Sequence, residues 1–165
     1  MNDRPAIKEI RRRLVGLENK PGMCLHVAHH TADVLSRYGY QVVIQAGSLQ
    51  WPRIQRHEDD GVMSTHYSYM WSPETPESHL SVALGCLPEM HVWVGILDTQ
   101  EIVDFSTRWL KQAAEGMGLA WTADEPPEFL WCSAKKMPDW VVYTPVREAT
   151  IYACKIFTCM CLVWR

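Results

Sequence analysis

Cys24, His91 and Asp104 are three residue types that together can make and break acyl bonds, and they lie far apart along this chain. Cys24 sits near the start of a run from Pro21 to Gly39 that reads as one helix. Pro21-Gly22 is a turn signal, and Gly39 suits a left-handed stop. At about 100° per residue, Val27, Ala28, Thr31, Val34, Leu35 and Tyr38 share the side that Cys24 heads. The cysteine therefore points toward the core or a cleft. At a helix start, unpaired backbone N–H groups and the positive end of the dipole favour a thiolate. Such a sulfur is a candidate nucleophile, although alone it is better explained as a small buried hydrophobe.

The elements that must position the other two residues follow later. Met90 to Leu97, the turn Asp98-Thr99-Gln100, and Glu101 to Thr107 read as a hairpin. On paired antiparallel strands, a residue near the start of the first lies beside one near the end of the second. His91 and Asp104 are thus placed to touch, with the carboxylate fixing the tautomer and orientation of the imidazole. Nucleophile, base and orienter make the set used in cysteine acyl transfer.

Cys24 at a helix start, the run His91-Val92-Trp93-Val94 on a strand, and Ile102-Val103-Asp104 together resemble the transglutaminase-like branch of the papain-like cysteine enzymes. That branch includes transglutaminases, bacterial transglutaminase-like proteases, arylamine N-acetyltransferases and the leader peptidases that process lasso peptides. The likeness, to a small bacterial member, covers roughly residues 20 to 108. It implies an α+β fold, with N-terminal helices and the cysteine helix packed on an antiparallel sheet bearing the histidine and the aspartate. It also implies an amide or peptide hydrolase, or an acyltransferase, working through a thioester on Cys24, without a cofactor. The substrate would be a peptide, a protein or a small amide or thioester. Trp51 and Trp93 are the expected substrate contacts, and Asn19 is the oxyanion candidate. Where the family often has an acidic residue soon after the His-x-Trp-Val run, Gly95 stands here. A non-catalytic peptide- or protein-binding module on the same fold is the alternative.

Length and composition set bounds. A chain of 165 residues suits one domain spanning 1–165. Hydrophobic content of 47% with eight tryptophans excludes a disordered chain. A net charge of −3 argues against a general nucleic-acid partner. No run reaches the roughly 18 apolar residues of a membrane span. Met1 to Pro5 leads directly into a charged segment, so no secretory signal is expected. Six cysteines without regular spacing then read as reduced thiols in the cytoplasm.

The remaining segments read as follows. Asp3 and Pro5 start a helix to about Leu17, with Ile7, Ile10, Leu14 and Leu17 as its stripe. Lys8, Arg11, Arg12 and Arg13 form its solvated face. Tyr40 to Gly47 is a strand, and Trp51 follows it, either at a cleft mouth or in the core. Val62 to Trp71 has strand propensity, and Pro73 to Ser78 is a loop. His79 to Leu84 reads as strand or helix. Ser106 or Thr107 caps a helix through Ala114. Phe129–Cys132 and Trp140–Tyr143 suggest a second hairpin, and Thr150 to Trp164 is a buried strand or helix.

Other constellations compete. His26, His29, His30 and Asp33 share a narrow helix face opposite Cys24 and could bind zinc, with His57, His66 or His79 as a fourth ligand. A polar outer face explains them more cheaply. Cys159-Met160-Cys161 has one residue between its thiols, not the two of common zinc knuckles. Cys86 is a rival nucleophile without a helix start, and His79 a rival base without the Trp93 and Asp104 context.

Overall fold

A computed structural model describes residues 4–17, 23–51, 55–56, 67–69, 90–116, 119–120, 125–139 and 141–163. Helix α1 spans Pro5–Arg13, with Pro5 in the first turn, where the N–H it lacks would have no helical partner. Its N-cap is Arg4, which makes no side-chain cap, and the expected cap Asp3 lies outside the described residues. The helix stops short of Leu17 because residues 14–16 turn, with Gly16 at φ +81°. Ala6, Ile7 and Ile10 are its buried side chains.

Helix α2 spans Met23–Arg37. Gly39 ends it at φ +84°, and the Tyr40 N–H donates to the Leu35 carbonyl at 3.1 Å, closing a Schellman turn. Val27, Ala28, Thr31, Val34 and Leu35 are buried as the periodicity requires, and Leu25 joins them. Tyr38, expected on the same face, is 48% exposed, since the last turn runs past the edge of the core.

The strands are β1 (Val42–Trp51), β2 (Gln55–Arg56), β3 (Tyr67–Tyr69), β4 (His91–Ile96), β5 (Glu101–Asp104), β6 (Leu119–Ala120), β7 (Leu130–Ser133) and β8 (Val142–Pro145). Six of them form an antiparallel sheet with the order β3-β1-β4-β5-β7, and β8 pairs with β1; β2 and β6 pair separately. The architecture is α+β. The turn at 97–100 joins β4 to β5 as expected. A 3-10 turn, Thr107–Trp109, leads into α3 (Leu110–Gly116), and α4 covers Arg147–Val163, resolving the C-terminal segment as helix.

The second hairpin does not form. Strands β7 and β8 exist close to their expected places, but β7 pairs with β5 and β8 with β1. A bend with Lys135, Lys136 and Pro138 separates them, and each finds a longer-range partner.

Alternation divides the sheet into two faces. Ala46, Val92, Val94, Ile96, Val103 and Trp131 form one core cluster with α1, α2 and the α4 residues Ala149 and Ala153. Each fully buried aliphatic side chain in it contributes about 1.5–3 kcal/mol. Register puts Gln45, Gly47, Leu49, His91, Trp93, Asp104 and Tyr143 on the opposite face. Gly47 is required there by close approach, since a Cβ would stand 2.1 Å from the Thr144 carbonyl oxygen and 2.8 Å from the Val146 nitrogen. Among the described residues no helix is long and apolar enough to cross a membrane.

Candidate active site

His91 opens β4 and Asp104 closes β5, so one hairpin carries both. Because aspartate only accepts, His91 Nε2–H is the donor to Asp104 Oδ2, at 2.7 Å. Both side chains are almost wholly buried, with 3% and 1% of their surfaces exposed. Cys24 lies in the first turn of α2, is half-buried, and interacts with the His91 side chain. Its Sγ also stands 4.0 Å from the carbonyl oxygen of Met90, the residue before His91. The three residues of the sequence pattern therefore meet at one imidazole.

Electrostatics follow from this packing. Burial pushes the His91 ring toward its neutral form. The charge and hydrogen bond of Asp104, with the interaction with Cys24, more than reverse that and hold the ring protonated up to about 10. For Asp104, burial opposes ionisation, but His91 and the Ser106 hydrogen bonds prevail and hold its carboxyl below the usual range.

Two residues that local pattern did not assign to the site complete the shell around Asp104. Ser106 donates to Oδ1 through its backbone N–H at 2.8 Å and its hydroxyl at 2.6 Å. Tyr143 on β8 donates its hydroxyl to Oδ2 at 2.7 Å. The first has a local signature, a serine two residues after an aspartate, which is an Asx-turn pattern. The second is 39 positions away, and nothing local announces it.

Trp93, the expected substrate contact, is 1% exposed. It stacks at 6.1 Å and 18° on the His91 ring, meets the Tyr143 ring edge-on at 5.1 Å, and donates its indole N–H to Gln45 Oε1 at 2.9 Å. Gly95 makes room for that amide: a Cβ there would press Gln45 Oε1 at 3.0 Å. Gly95 thus serves the support of the histidine through Gln45 and Trp93.

The other candidates fall differently. Asn19, Cys86, His57, His66 and His79 lie outside the described residues, as do the side chains of Trp51, Cys159 and Cys161. Among the described residues no group of three or more histidine, cysteine or acidic side chains could hold a metal ion. Asp33 is engaged by Arg13 at 2.5 Å and Arg37 at 2.9 Å. Burial, with His26 and His30 nearby, lowers the His29 pKa to about 4. Comparison of the chain with protein-family models, curated proteins and solved structures finds no match.

Proposed function

We propose that this protein is a cysteine acyl-transfer enzyme, an amide or peptide hydrolase or an acyltransferase, acting through a thioester on Cys24. The observation that carries this reading is the single imidazole held by a buried carboxylate 2.7 Å away and interacting with a thiol at a helix start. In the first half-reaction the Cys24 sulfur attacks the substrate carbonyl carbon and forms a C–S bond. His91 passes its proton to the leaving group as the original acyl bond breaks. In the second, water or an amine attacks the thioester and gives a proton to His91. The C–S bond then breaks and the thiolate returns. Asp104 keeps the ring oriented, and the Cys24 backbone N–H, in the first turn of α2, would donate to the oxyanion.

The substrate classes consistent with this chemistry are peptides, proteins and small amides or thioesters. A cytoplasmic setting, where thiols stay reduced, suits a free Cys24. The test is alkylation with iodoacetamide near neutral pH, read by peptide mass spectrometry. A stoichiometric adduct on Cys24 that is lost in His91→Ala is expected. Equal labelling of all six thiols, unchanged in that variant, would remove the basis for the reading.

A further inference from the structure

Asp104 Oδ2 accepts two hydrogen bonds, one from His91 Nε2 and one from the Tyr143 hydroxyl, each at 2.7 Å. Tyr143 arrives on β8, where it pairs with Leu49 of β1, and its ring lies 6.0 Å from the His91 ring and 5.1 Å from that of Trp93. Gly47, beneath the Thr144 carbonyl, is what lets β8 come this close.

We propose that Tyr143 is a positioning residue of this site: by donating to the carboxylate oxygen that His91 also uses, it loosens the hold of Asp104 on the imidazolium proton. The inference rests on the cysteine acyl-transfer reading. A base that returns its proton to a leaving group works best when it does not bind that proton too tightly. A buried carboxylate beside an imidazolium, with little water to screen it, tends to overbind. The Tyr143 hydroxyl counters this because the carboxylate needs a second donor most when the imidazole is neutral and leaves its charge unbalanced. Tyr143 therefore favours proton release. Ser106 acts in the same sense from Oδ1.

Among the described residues, the titratable groups facing His91 are Asp104 on β5, Cys24 on α2 and Tyr143 on β8. Those acting on Tyr143 are Asp104 and Cys132 on β7. Burial and then Asp104 raise the Tyr143 pKa well above the usual phenol range, so it stays a donor while His91 titrates.

The experiment follows the His91 imidazole by NMR in the full-length chain from pH 5 to 11, its resonance identified by its loss in His91→Gln. In Tyr143→Phe, which keeps the ring and its packing, the titration should move upward by about half to one unit. With 3-fluorotyrosine placed at 143, a stronger donor, it should move downward. A purely structural tyrosine would leave both midpoints where they are, and an unchanged or reversed pair of shifts overturns the proposal. The two readings fail separately. An unreactive Cys24 in the unaltered protein sinks the enzymatic reading, while a reactive Cys24 with an unmoved His91 titration sinks only the role of Tyr143.

Discussion

Asp104 makes the most consequential contacts in the site, with both oxygens occupied by two donors each. That geometry gives a sharp outcome for Asp104→Asn. The two Ser106 donors would hold the amide oxygen at the Oδ1 position, turning the amide NH₂ toward His91 Nε2. The ring would then have to accept at Nε2 and carry its proton on Nδ1. Alkylation of Cys24 at pH 7 should slow roughly tenfold or more, with the fold retained by circular dichroism. Residue types and order made Cys24, His91 and Asp104 legible, since one helix and one hairpin of periodic pattern carry them. Tyr143 and Gln45 were not legible, because each reaches the site from another strand.

At the scale of elements, β1 is the hub. It pairs with β4 over residues 42–47, with β8 over 47–50 and with β3 over 49–51. Gly47 lies where the first two partners meet, so Gly47→Ala should force β8 outward. The expected loss is about 1–3 kcal/mol in urea unfolding, together with a displaced Tyr143 and a changed His91 titration. Leu35→Ala, which empties a fully buried place on α2, should destabilise by about 2–5 kcal/mol while leaving that titration in place. The expected pairing of β7 with β8 failed for a general reason. Strand propensity marks where a strand lies, but its partner is chosen by edges that only the assembled sheet presents.

Across the whole molecule, acid should weaken the fold through α2. Burial, His26 and His30 keep folded His29 neutral down to about 4, whereas the unfolded residue titrates near 6.5. Between those values the unfolded chain binds more protons, so stability falls as pH drops through that window. His29→Gln should flatten this part of the curve of urea midpoint against pH. The ion pairs of α1, in which Arg12 and Arg13 hold Glu9 down to about 2, are solvent-facing and add little.

The sequence by itself determined the helix of Cys24 and the hairpin of His91 and Asp104, because short-range periodicity and turn chemistry govern both, while the α+β class came as an expectation of the resemblance. Only the tertiary structure decided that β8 crosses Gly47 to bring Tyr143 onto Asp104, and that Trp93 faces inward as a support. Those outcomes depend on close approach and hydrogen bonding between segments dozens of residues apart, and no local pattern encodes which buried donor meets which acceptor.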